Sequence, residues 1–151
     1  MRPAALVLSF ALLTACAPKD EAPAAGDAAV QTPAAPAAAT IADFAGNYQV
    51  TAILGKDTVP STMMVTADGV GSTLSLTGRP KIALMLSMSG DSLVAQSAEY
   101  ESVLRKGTMV SNRTAVAKAA DGSLAGTVSA TYKVRGGDQV VNGTIRATKM
   151  P

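Results

Sequence analysis

The chain has 151 residues, enough for one domain of ordinary size, with 13 Lys+Arg against 11 Asp+Glu and a formal charge of +2. It contains no His, no Trp and a single Cys. That excludes an intrachain disulfide, any His-containing metal site and every His-containing catalytic triad.

The first sixteen residues read as an export signal. Arg2 supplies a positive start, and Ala4 to Leu13 is an apolar run of about ten residues, the length of a signal core and well short of the ~20 that span a bilayer. Leu13-Thr14-Ala15-Cys16 follows, and Cys16 is the only cysteine of the chain. These four residues resemble the lipobox of bacterial lipoproteins. The resemblance implies removal of residues 1–15 and a diacylglycerol on the sulfur of Cys16, usually with an acyl group on the new amine. Two or more acyl chains anchor a protein stably. Position +2 is Ala17 rather than the Asp that favours inner-membrane retention in that family. In a diderm host this implies the outer membrane, with the protein facing the periplasm.

Removing Arg2 leaves 12 basic against 11 acidic side chains, a balance of +1. That balance gives no general electrostatic affinity for nucleic acid or for an anionic membrane. Membrane attachment is therefore expected through the lipid on Cys16.

Residues 16–40 carry Pro18, Pro23, Pro33 and Pro36 among alanines and have no large side chain to bury beyond Val30. The prolines interrupt any long helix, so a disordered, partly polyproline-like linker is expected, reaching several tens of ångströms at ~3.1 Å per residue.

From residue 41 to 151 the pattern has period two, with turn residues at strand-like intervals. Tyr48, Val50, Ala52 and Leu54 share one face of the first strand, which Gly55-Lys56-Asp57 ends. Pro60 argues against a central-strand position, so the second strand is placed at Thr62 to Ala67, followed by a hairpin turn at Asp68-Gly69. Ser72 to Thr77 puts Leu74 and Leu76 on one face. Ile82, Leu84, Leu86 and Met88 share a face of the next strand, and Gly90-Asp91 turns into Ser92–Ser97. Ala98 to Lys106 reads equally as a strand or an irregular segment. Thr108–Ala117 follows, then the hairpin signal Asp121-Gly122. Ser123 to Val134 is the cleanest strand, with Leu124, Gly126, Val128, Ala130, Tyr132 and Val134 inward. Gln139–Lys149 closes the chain with Val141, Ile145 and Ala147 inward.

The fold class is therefore all-β, with a single small antiparallel β-barrel of about eight strands preferred over a β-sandwich, because closure removes exposed edges. Phe44-Ala45-Gly46-Asn47-Tyr48 resembles the Phe-x-Gly-x-Trp opening of the first strand in lipocalin-like (calycin) barrels, with Tyr48 at the tryptophan position. In those barrels a basic residue late in the last strand closes over that aromatic, which here implies Arg146. The alternation instead turns Arg146 outward, unless it lies at the barrel end.

No catalytic motif stands out. No Gly-x-Ser-x-Gly or Ser-x-x-Lys occurs, and Gly69-Val70-Gly71 lacks the third glycine of a dinucleotide loop. Glu99 and Glu101 lie on one strand, which cannot flank both sides of a sugar, so they read as a charged edge. Met63, Met64, Met85, Met88 and Met109 suit core filling or an adaptable apolar site better than copper, because residues three apart on a strand face opposite ways. The expectation is a non-enzymatic, membrane-anchored lipoprotein without cofactor or metal. Its partner is a small apolar ligand held among the inward-facing Tyr48, Leu84, Met88 and Tyr132, or alternatively an envelope protein met by loops or an outer face.

Overall fold

The computed structural model describes residues 38–151. The signal (1–15), Cys16 and all of the linker but its last three residues lie outside the described residues. Residues 38–151 form one compact unit.

A 3₁₀ turn at Ile41–Phe44 leads into nine strands: β1 (Gly46–Leu54), β2 (Asp57–Val65), β3 (Thr73–Ser75), β4 (Ile82–Ser89), β5 (Ser92–Ser97), β6 (Tyr100–Glu101), β7 (Met109–Lys118), β8 (Leu124–Val134) and β9 (Gly137–Lys149). All pairings are antiparallel, and each strand follows its neighbour around the sheet until β9 returns to β1. The β5–β7 pairing completes a closed barrel of eight strands. The two-residue β6 is the extra strand. It pairs with the start of β7 through Tyr100↔Val110 and Glu101↔Met109, continuing the line that β5 leaves at Gln96↔Arg113.

The period-two pattern gives the barrel its interior. Tyr48, Val50 and Leu54 of β1, Leu124, Val128, Ala130 and Tyr132 of β8, and Ile145 and Ala147 of β9 are all buried. Every strand pairing and the whole buried cluster lie between Phe44 and Lys149, so this segment carries its own core.

Two inward glycines mark where neighbouring strands approach closest. A Cβ on Gly126 would overlap the carbonyl oxygen of Ala115, and one on Gly143 would overlap that of Ile53. Neither has positive φ; what each site lacks is space for a side chain.

Three sequence expectations are corrected. Pro60 lies inside β2, which begins at Asp57, and is paired with Thr51. β3 reaches only Thr62–Met64 of β2, so Pro60 has a neighbour strand on one flank and a free edge on the other. Asp68-Gly69 turns the chain, but within a seven-residue connection from Thr66 to Ser72 rather than a tight hairpin. There Asp68 Oδ1 accepts from the Val70 amide and Ser72 Oγ accepts from the Thr66 amide. Val134 keeps the inward phase of β8 yet is exposed. β1 stops at Leu54 opposite Gly143, so β9 residues 137–142 pair with β8 alone and this hairpin projects past the barrel wall.

The barrel has two unlike ends. The 3₁₀ turn and the β2–β3, β4–β5 and β7–β8 connections gather at one, which is filled. Phe44, Tyr48, Leu93, Val116 and Leu124 are buried there, each large apolar side chain contributing roughly 1.5–3 kcal/mol. Tyr48 donates its hydroxyl to the Phe44 carbonyl at 2.8 Å, tying the 3₁₀ turn to the first strand. Thr40 is fixed in front of that turn by donating from both its amide and its hydroxyl to Asp43 Oδ2, at 2.7 and 2.8 Å. Lys118 Nζ lies 5.5 Å from the Phe44 ring centroid. Arg146 does not take that place: it points outward and pairs with Asp121 at 3.2 Å. The β1–β2, β3–β4, β6–β7 and β8–β9 connections gather at the opposite end, called the mouth below.

Candidate functional site

A hollow lined from several strands lies in the mouth half of the barrel. It is a narrow cavity of about 50 Å³. Its walls are mostly apolar, with Met63, Leu74, Leu76 and Leu84 on one side and Val110, Val128 and Tyr132 on the other. Leu74 reaches it from β3, Leu76 from just past the end of that strand, and Leu84 from β4. Small residues such as Ala52 and Ala95 leave the space that bulkier side chains would fill.

The connection between β6 and β7 roofs this cavity. Val103 and Leu104 line it from above while remaining 42% and 37% exposed. Ser102 folds the connection into a tight loop: its Oγ accepts from the amides of Leu104 and Arg105, both at 3.1 Å. Three straps hold the loop down. Arg79, from the β3–β4 connection, pairs with Glu101 at 2.8 Å and donates to the Ser102 carbonyl at 3.2 Å. Glu101 Oε1 accepts from the Gly107 amide at 2.9 Å. Arg105 lies 4.2 Å from the Tyr132 ring centroid and donates to Gln139 Oε1 at 2.5 Å. The Gly107 bond, followed by the Arg79 guanidinium, holds the Glu101 carboxyl below its ordinary range.

One stretch of wall is polar. Asn112 occupies an inward position of β7, in phase with Val110 and Thr114. Its Nδ2 donates to the Tyr100 hydroxyl at 2.6 Å, and its Oδ1 is buried without a hydrogen-bond partner. Its amide donates to Ser97 Oγ at 2.8 Å. Burial pushes the Tyr100 phenol up, against the lowering effect of the Asn112 contact.

The four residues expected to line a ligand site separate. Leu84 and Tyr132 line the cavity. Tyr48 is buried in the filled half with its hydroxyl spent on Phe44, and Met88 packs against the same core away from the cavity wall. Tyr100, Asn112, Val103 and Leu104 are the lining residues that sequence reasoning missed. Asn112 was detectable, since period-two phasing of β7 puts a polar residue on the inward face. The two roof residues fall in the segment whose strand character was ambiguous.

Of the carboxylate pair, Glu101 is bound to Arg79 and Gly107, and Glu99 lies 3.9 Å from Lys133. Met85 is exposed and Met88 faces inward, as opposite phases on β4 require. Among the described residues, no three His, Cys, Asp or Glu side chains cluster to hold a metal. No family model matches this chain, and neither a curated protein nor a solved structure does.

Proposed function

We propose that the protein is an envelope lipoprotein whose barrel takes up a small apolar molecule without transforming it. The observation that carries the binding reading is the placement of the cavity. One half of the barrel is filled by bulky side chains, whereas the other keeps an apolar hollow beneath a half-exposed roof. Apolar enclosures with a few placed polar groups are the usual form of small-molecule sites, but at about 50 Å³ this one is well below the roughly 300–1,000 Å³ usual for them, so a guest enters by lifting the half-exposed roof loop. Asn112 supplies the polar group. An unpaired buried amide oxygen costs folding about 1–3 kcal/mol, and a hydroxyl or amide on the guest would relieve it.

The anchoring half of the proposal rests on Leu13-Thr14-Ala15-Cys16 and on the position of Cys16 at the end of an apolar run. Lipid on Cys16 would hold the barrel at a membrane, the outer membrane of a diderm host, with residues 17–40 as its tether.

Purification of the lipidated protein from its native envelope, followed by mass spectrometry of the extracted small molecules, tests the binding reading. A stoichiometric apolar compound is expected. A clean protein with an apolar compound absent, but an envelope protein co-purifying in equal amount, would replace it with the interaction-module reading.

A further inference from the structure

The overall charge of the chain hides a separation between the two barrel ends. Each connection at the mouth carries a cation with no carboxylate within 4 Å among the described residues: Lys56 between β1 and β2, Lys81 between β3 and β4, Lys106 between β6 and β7, and Arg135 between β8 and β9. At this end Arg79, Arg105 and Lys133 are the remaining cations, against the carboxylates Asp57, Glu99, Glu101 and Asp138, which leaves a balance of +3. The filled end is the reverse. Asp68, Asp91 and Asp121 each sit in one of its connections and Asp43 in the 3₁₀ turn, against Lys118, Arg146 and Lys149, a balance of −1.

Exposed apolar side chains follow the cations. Of the eight large hydrophobic residues that stand exposed among the described residues, Ile53, Val103, Leu104, Met109, Val134 and Val140 are at or near the mouth. Among the described residues only Val70, in the β2–β3 connection, belongs to the filled end, and Met85 lies mid-wall on β4. Val140, 55% exposed, and Val134 ride on the part of the β8–β9 hairpin that projects past β1, with Arg135 at its tip. Val103 and Leu104, partly exposed above the cavity they line, stand near Lys106 in the roof loop. Water-exposed apolar tips cost solvation in a free monomer, and an acidic protein surface would complement the cations without accounting for tips on two separate projections.

We propose that the mouth end docks on an anionic lipid bilayer, with Val103-Leu104 and the tip of the β8–β9 hairpin entering the headgroup region and Lys56, Lys81, Lys106 and Arg135 facing anionic headgroups. A ring of cations around apolar tips is the arrangement that binds such an interface, where apolar burial and electrostatic attraction add. The docking is a property of the barrel's own residues, separate from any lipid on Cys16, and it stands whether or not the cavity holds a guest. It places the cavity roof against the bilayer, where an apolar molecule would enter or leave.

The test is sedimentation of the chain from Ala17 onward, which lacks both the apolar signal and Cys16, with vesicles of phosphatidylcholine alone or containing 30 mol% phosphatidylglycerol, at about 50 and 300 mM salt. Binding is expected to the anionic vesicles at low salt, weakening with salt. Each cation near an anionic surface strengthens binding about fivefold, so replacing Lys56, Lys81, Lys106 and Arg135 together by Gln should weaken it by about 600-fold when all four face the headgroups. These four make no ion pair among the described residues, so the variant should melt with the parent. Leu104→Ser, which keeps every charge, should also weaken binding. Orientation is read with an environment-sensitive dye on a single cysteine, since the chain from Ala17 has none of its own. A dye at Leu104→Cys should shift to the blue on anionic vesicles and one at Val70→Cys should not. No sedimentation, equal sedimentation with neutral vesicles, unchanged binding of the four-Gln variant, or a blue shift confined to Val70→Cys would each overturn the proposal.

Discussion

Arg79 and Glu101 meet at 2.8 Å across the barrel mouth, joining the connection before β4 to the strand that begins the roof loop. The same carboxylate holds the Gly107 amide at the far end of that loop, so one side chain fixes both of its ends. Glu101→Gln should therefore leave the barrel folded but loosen the roof. Hydrogen exchange at the Gly107 amide should accelerate by roughly several-fold while amides of β8 keep their protection. Equal exchange in parent and variant would show that the loop is held by Ser102 and Arg105 alone.

The same contact predicts a direction with pH. The folded carboxyl of Glu101 titrates below its unfolded value, so its contribution to stability is present above the unfolded pKa and is lost as pH falls through the lower, folded one. Asp43, lowered chiefly by the Thr40 amide, and Asp121, lowered chiefly by Ser123, act in the same sense. Melting temperature should fall on acidification through the carboxylate range, and Glu101→Gln should flatten part of that fall. An increase in melting temperature on acidification would contradict the assignment.

The register of β8 can be tested by face. Val128 is buried on the cavity wall between Gly126 and Ala130, whereas Thr127 faces solvent. Val128→Asp should cost several kcal/mol, because no basic side chain lines the cavity. Thr127→Asp should stay within about 0.5 kcal/mol of the parent. Chemical denaturation of both variants checks it, and the reverse order would mean that β8 is shifted by one residue.

Gly126 and Gly143 give a second stability test. Alanine at either position drives a methyl group into the backbone of the adjacent strand, at Ala115 or Ile53. Each substitution should cost about 1–3 kcal/mol, as overpacking does. Gly55→Ala separates the two possible causes. It has positive φ but nothing within 4 Å of the added atom, so its cost should come from backbone strain alone and be smaller.

Much of the barrel was legible because one rule governs it. A closed barrel buries alternate residues, so β1, β4, β8 and β9 could be phased from Tyr48, Leu84, Val128 and Ile145 without knowing their partners. The rule fails where a strand leaves the wall. Val134 keeps the phase but has no interior beneath it, and Pro60 is tolerated because β3 is too short to flank it. The site was less legible for a related reason. Alternation separates inside from outside but cannot tell a filled half from a hollow one. That difference depends on Phe44 closing one end and on Val103 and Leu104 folding over the other, contacts made by segments without strand periodicity. Net charge is likewise blind to distribution, because it averages over two ends of opposite sign.

The central claim is that the hollow half of the barrel is a binding site, and a blocked cavity tests it most directly. Ala52 lines the hollow from β1, so Ala52→Phe should fill it while the buried cluster around Phe44 at the other end stays intact. The measurement is a titration of the chain from Ala17 with an apolar fluorescent probe such as N-phenyl-1-naphthylamine, on the parent and on Ala52→Phe, with thermal melts of both. The account predicts saturable binding at one site per barrel in the parent and at least tenfold weaker binding, roughly 1.4 kcal/mol, in an Ala52→Phe variant that still melts cooperatively. No saturable binding by the parent, or undiminished binding by a folded Ala52→Phe variant, would contradict it.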